Sequence, residues 1–493
     1  MKQYMLARAV TVGTAMEVAQ LESRMDAKDY THLQSIFVGS PGIPRSLSRT
    51  EFIDLAWRSA DRGSKQEYGL LFDSVLVTQK HSSLLHSRDE VKEEGHIDWG
   101  ALCSFLLEET WRKLNRTGVI SVPLWKPPRT LTCPHRDSVQ KVLYLQSSDQ
   151  YLTVSKGGKV VLWQEEDMSL LRTCLLKNST VASRDLWVTD VVLLQNVKKI
   201  AVSFTCEEVC FYDIRSKQDF PCKYKLQGLR FAPWCLDYWV DPCDADQAVL
   251  TIGDTGGQVS ALHFTSAQTS LFESRSLQLD SYSAKMVPWD QLVKGRHSCC
   301  RIETHKAHAP AWVRKVRYLA SLRAFVSCCT RPQSSMVIGW RDEDGGKMRV
   351  TTYVTQRGVR DIDYLCERNL IATAGLDDQV LLWNPYVTSE PVCALAGHTN
   401  AVTAVRFMQT KDQLLSYSKD KVLCLWDVSS RLCVQRLAGV FPKVQEDTHT
   451  VLFLREERQH LLLSFNSRLL LLESTKEEKK RSISHGHTEF CAA

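Results

Sequence analysis

The sequence predicts a mainly β chain: a β-propeller of about seven four-stranded blades, preceded by a small α-helical domain. Two observations carry that expectation. From about Thr130 to Glu473, short apolar runs separated by polar turns recur as strands, and Trp340, Trp383 and Trp426 stand 43 residues apart. Before Gly118 the apolar residues instead recur at helical spacing. The expected organisation is a helical domain over 1–118, a propeller over 119–475 and a tail over 476–493.

The best-kept copy of the repeat opens at Gly397 and His398 and alternates through Phe407. It continues through Gln413 to Asp420 and Lys421 to Asp427, and Arg431 to Leu437 supplies a fourth run. Four strands make one blade. The Gly-His opening, an Asp six residues before Trp426, and the closing Trp426-Asp427 pair resemble the WD40 family. That resemblance implies a buried hydrogen-bonded chain of His398, Thr403, Asp420 and Trp426. A neighbouring copy keeps Asp377 six residues before Trp383 but carries Thr355 in the His position. Such a network is physically sound, because a buried carboxylate is costly unless it accepts hydrogen bonds.

More worn copies open at His135, at Val188 with Tyr212-Asp213 in the Trp-Asp position, at Cys235, at Trp312 and at Thr448. Gly253 to Gly257 reads as a tight turn, since no Lys-Ser/Thr follows to make a phosphate loop. Thr265 to Lys306 is too long for a blade-to-blade turn and reads as an insertion, either a solvated tether or a binding loop. Gly486-His487 restarts the repeat opening shortly before Ala493, as expected of a short form of a longer protein.

In the first domain, helices are expected over 16–37, 49–62, 67–79 and 99–114. Two connecting loops end in an apolar residue, Leu47 and Ile97, followed by a helix. This resembles a pair of EF-hands whose loops meet through that apolar position. The ligand positions are emptied. Counting back from Glu51, Arg45 occupies the place of the turn glycine, and the second loop has Lys92 at position 3 and Ala101 at position 12. Neither loop is expected to bind calcium.

A net charge of +6 is mild for 493 residues and is spread along the chain, which does not suggest a nucleic-acid partner. No run approaches the ~18 apolar residues of a membrane helix, and Lys2, Arg8 and Glu17 interrupt any signal-like stretch, so no membrane association is expected. Seventeen cysteines are read as reduced thiols, mostly buried in strands. Cys299, Cys300, His305 and His308 lack the spacing of a zinc motif. No nucleophile elbow or metalloprotease helix is present, and the histidines are scattered.

Expected, then, is a non-catalytic protein with no cofactor, metal or small-molecule substrate, whose partners are other proteins. Helical EF-hand-like and WD40 segments together resemble the WD-repeat and EF-hand proteins of cilia and flagella. That resemblance implies a cytoplasmic scaffold in the axoneme with axonemal partners. The alternative is a substrate-recognition propeller of a ubiquitin-ligase or chromatin complex.

Overall fold

Each repeat folds into an antiparallel sheet because its strands are short, rich in Val, Leu and Ile, and separated by turns that reverse the chain. In six blades the first hairpin turns through a residue in the left-handed region: Asp149, Lys198, Arg323, Asn369, Asp412 and Gln459. The structure, a computed structural model, describes residues 27–38, 45–59, 64–83, 95–106, 119–178, 186–216, 218–268, 271–272, 284–341, 348–441 and 449–482. Residues 16–26 of the expected 16–37 helix, the first five positions of both EF-hand-like loops including Lys92, and the Gly486-His487 restart lie outside these residues.

Seven sheets form the propeller. Their first strands are Val139–Leu145, Val188–Leu194, Pro233–Val240, Val313–Leu319, Val359–Leu365, Val402–Met408 and Thr450–Arg455, for blades 1 to 7. Apolar side chains from facing sheets interdigitate. Leu152, Val154 and Leu162 of blade 1, for example, share a core with Val191, Val202, Phe204 and Tyr212 of blade 2.

The ring closes by joining the two ends of the propeller. Blade 7 takes three strands from the C-terminal side, Thr450–Arg455, His460–Phe465 and Arg468–Ser482. Its outer edge comes from Val119–Trp125 and Arg129–Leu131, with Leu131 opposite Leu469 and Arg129 opposite Leu471. The last strand therefore runs beyond residue 475.

The 265–306 segment is only partly an insertion. Lys285–Pro288 adds to blade 2 as a fifth strand, parallel to Cys222–Gln227. A short helix, Trp289–Val293, buries Trp289 and Leu292 in the core that also holds Phe272. Cys300–His305 is the outer strand of blade 3, paired with Val259–Phe264. Periodicity alone missed that strand because the intervening residues displaced it from its expected place.

The helical unit contains α1 (Ala27–Ile36), α2 (Arg49–Ser59), α3 (Lys65–Ser83) and a further helix over 99–106. Phe37, Phe52, Tyr68 and Phe72 form its core, with Trp99 packed on Phe37. Leu47 and Ile97 pair directly in a two-residue antiparallel ladder, so the two loops do meet at the apolar position. Glu51 accepts hydrogen bonds from the Ser48 backbone N–H (3.0 Å) and hydroxyl (2.7 Å), a capping box that starts α2. Arg45 donates to the Ile36 carbonyl at the end of α1. The carboxylate and the cation are both engaged in ordering helix ends.

Leu131 is buried and Thr130 beside it is exposed. Leu131→Asp should therefore lower the unfolding free energy by roughly 2–4 kcal/mol, while Thr130→Asp should stay within about 0.5 kcal/mol. Urea denaturation of the two variants checks whether this strand holds the ring shut.

Candidate functional site

The first strands of successive blades neighbour one another around the ring, so they line its axis. A first strand has a ladder partner on one side only, and its other side must be joined to the next blade by side chains. Aspartates make most of these joints. Asp190 of blade 2 accepts the Leu236 N–H of blade 3 (2.9 Å), and Asp237 accepts the Tyr318 N–H of blade 4 (2.7 Å). Asp361 and Asp363 of blade 5 accept the Val405 and Phe407 N–H groups of blade 6, at 3.1 and 2.6 Å.

Cations complete this tier. Lys141 pairs with Asp190 (2.8 Å), Lys315 and Arg406 with Asp361 (3.9 and 2.7 Å), and Arg317 with Asp363. Burial pushes the Asp361 carboxyl up, but Arg406 and Lys315 hold it below the usual carboxylate range. Between blades 7 and 1, Arg455 pairs with Glu165 and lies over the Tyr144 ring.

Above this tier, at the start of the first strand, the ladder skips one residue in five blades. The skipped residues are Gln140, Thr189, Trp234, Arg314 and Thr403. Val359-Arg360-Asp361 carries the same sequence pattern in blade 5 as Val313-Arg314-Lys315 in blade 4. A bulge frees a side chain from the ladder and re-aims it. The result is a rim of unladdered side chains around one mouth of the axis.

Two glycines close the turns at this mouth. Gly257 and Gly358 both sit at φ +83, and a Cβ there would strike the backbone of Ala309 and Thr330 respectively. Each turn can lie this close to the adjoining segment only because the side chain is missing.

The expected blade network needs one correction in its membership. His398 Nε2 lies 2.6 Å from Ser416 Oγ, and Trp426 Nε1 donates to the same oxygen at 2.7 Å. Ser416 is the central hydroxyl. Thr403, the residue expected there, is the bulge residue of blade 6 and donates to the Tyr417 carbonyl. Both residues sit in strands, and the sequence does not reveal which strand faces the His-Trp pair.

Asp420 stands apart from the buried chain. It is exposed and accepts from Thr399 (2.7 Å) and Ser418, organising the turn from its rim. Asp377 likewise pairs with Arg357 at 3.3 Å, while Trp383 donates to Thr373 at 3.0 Å. Blade 1 repeats the His-hydroxyl-Trp chain as His135, Thr153 and Trp163, with distances of 2.8 and 3.0 Å. In blade 4, His308 contacts Ser327 Oγ (2.8 Å), but no Trp completes the chain.

The 43-residue spacing of Trp340 is misleading. Gly339, opposite Phe325, matches Trp426 opposite Leu414 and Trp383 opposite Ile371. A Cβ on Gly339 would meet the Phe325 ring, which stacks on His305 and fills the space. Trp340 instead lies one residue further along the strand, donates to Thr351 and stacks on Tyr386.

The profile of the family described as WD domain, G-beta repeat, matches residues 389–427. The solved WD40 β-propeller domain of Doa1 superposes with a TM-score of 0.50 at 12% identity, over 72% of this chain and 98% of that one. The chain folds as a seven-bladed β-propeller and carries a WD40 repeat in its sixth blade. Nuclear distribution protein nudF 1 of Talaromyces marneffei is 29% identical over 174 residues, 35% of this chain and 36% of its own. The WD repeat-containing protein on Y chromosome of Anopheles gambiae is 22% identical over 303 residues, 59% of this chain and 28% of its own. The chain thus matches about a third of the length of these relatives.

Among the described residues, no group of three or more His, Cys, Asp or Glu side chains is arranged to hold a metal ion. Cys299 and Cys300 are buried, and His305 and His308 are enclosed at the blade 3–4 junction. No described helix is long and apolar enough to cross a membrane.

Two predictions test the network. Ser416→Ala should cost roughly 1–3 kcal/mol by stranding two buried partners, and Asp420→Ala should cost less than about 1 kcal/mol because its turn faces water. Urea melts of both variants decide the order. The second concerns pH. Burial lowers His135, His308 and His398 to about 4 and His305 to about 3. A depressed folded pKa means their contribution is intact above the unfolded value near ~6.5 and is lost as pH falls toward about 4. Within that window each neutral histidine should weaken the fold by about 1.4 kcal/mol per pH unit. Denaturation midpoints measured across it should fall steeply, and His398→Gln should flatten the slope.

Proposed function

We propose that this chain is a non-catalytic scaffold whose propeller mouth recognises other proteins. One observation carries the reading: the rim of bulge residues, including Trp234 and Arg314, is mounted on inner strands stitched to their neighbours by buried carboxylates. Rigid scaffolds that hold irregular segments in this way are where binding concentrates. The buried His398 and His308 hold strand hydroxyls, which supports a structural role for them over a catalytic one.

The finer reading is an axonemal scaffold. Its support is the Leu47–Ile97 ladder, the contact expected of paired EF-hand-like loops, in a chain that also carries a propeller. The relatives named nuclear distribution protein add support for a part in a positioning assembly. A second reading, a substrate-recognition propeller of a ubiquitin-ligase or chromatin complex, is favoured by Arg314 and Arg360 at the mouth.

Proximity labelling by the full chain in ciliated cells separates the two. Axonemal proteins are expected among the labelled set. Enrichment of ligase or chromatin subunits would favour the second reading. Turnover of any substrate by the purified chain would overturn the scaffold itself.

A further inference from the structure

The cations around the axis fall into two classes. In the lower tier Lys141, Lys315, Arg317 and Arg406 each face a carboxylate of the chain. At the rim, Lys156, Arg314 and Arg360 have no hydrogen bond or ion pair to a carboxylate among the described residues. Arg314 is the most telling. Its Nε is buried without a hydrogen-bond partner, and both burial and the neighbouring Arg360 oppose its charge.

The rim cations are interleaved with aromatic rings, of which Trp187 and Trp312 are exposed and Trp234 is half-buried. Trp234 and Trp312 lie 4.9 Å apart at the entrances to blades 3 and 4, with the Arg314 guanidinium 5.9 and 5.2 Å from their rings. Lys156 sits 3.7 Å over Trp187 at the blade 1–2 junction. Thr189 bridges onward, donating to the Pro233 carbonyl beside Trp234. Trp187 and Trp312 are 48% and 44% exposed, far more than the fully buried blade tryptophans. Arg360 follows the first residue of the blade 5 inner strand just as Arg314 follows that of blade 4, so it continues the arc.

We infer that this arc, from Lys156 and Trp187 through Trp234, Trp312 and Arg314 to Arg360, binds an extended acidic peptide segment of a partner protein. The inference rests on the scaffold reading and deepens it by naming the partner's chemistry. Among the described residues, carboxylates face every lower-tier cation and none faces the rim cations, which leaves the rim complementary to an anionic occupant. Partner carboxylates meet Lys156, Arg314 and Arg360, and an aliphatic residue between them covers the Trp234–Trp312 pair. Arginine and tryptophan are the side chains that most often dominate such interfaces. Arg314 Nε is shielded from water, which strengthens a charge-assisted bond to that guanidinium.

The test uses the full chain and a short fluorescein-labelled peptide of glutamates flanking a central leucine, read by anisotropy. Wild type should bind it, more weakly as salt rises, and should ignore the lysine counterpart. Arg314→Glu, Arg360→Glu and Trp312→Ala should each weaken binding roughly tenfold or more. Arg360 is exposed, so its variant should keep the wild-type melting temperature even if Arg314→Glu disturbs packing. No binding, binding indifferent to these variants, binding only to a phosphorylated peptide, or a preference for an oligonucleotide would each overturn the inference. Affinity capture from cells separates its failure from that of the scaffold reading. Partners retained by the Arg314→Glu/Arg360→Glu double variant sink the arc alone, whereas a wild type that captures nothing above background sinks the scaffold.

Discussion

A sheet that forms one blade of a ring has an inner strand with no ladder partner on its axial side, and the rest of this propeller depends on how that is solved. The solution is a buried carboxylate that reaches from one inner strand to the backbone N–H of the next: Asp190 to Leu236, Asp237 to Tyr318, Asp361 to Val405 and Asp363 to Phe407. Burying these charges would be prohibitive without the cations of the same tier. Lys141, Lys315, Arg317 and Arg406 share that tier, so neutralisation and blade-to-blade connection are achieved by the same groups.

The blades tolerate large changes so long as the space between their sheets is filled. Blades 1 and 6 keep a His-hydroxyl-Trp chain, whereas blade 4 keeps the His and the hydroxyl but fills the Trp space with Phe325 over Gly339. Blade 2 uses Tyr212, whose hydroxyl reaches the Lys177 carbonyl. At this position of the blade, packing volume is kept more strictly than residue identity, as close-packed interiors require.

Much of the rim was hidden in the sequence for a definite reason. A bulge changes which face a residue occupies without changing its spacing along the chain, so Thr403 reads as an ordinary strand position. Arg314 and Trp234 look unremarkable in sequence too, and their significance lies in the 4.9 Å approach of Trp234 to Trp312, a contact between two blades. The Val-Arg-x pattern shared by residues 313–315 and 359–361 was the one available signal.

By itself the sequence determined the fold class, the number of blades and the helical start, because strand alternation, turn residues and helical spacing are local properties. It also placed Leu47 and Ile97 at equivalent points of two loops. Tertiary structure decided that Ser416 rather than Thr403 joins His398 to Trp426, that Asp420 faces water, and that Cys300–His305 belongs to blade 3. It decided the closure as well, joining Arg129–Leu131 to a strand that begins at Arg468. These outcomes depend on pairings between distant segments. Local pattern shows that a residue is in a strand, and only the packed ring determines what that residue faces.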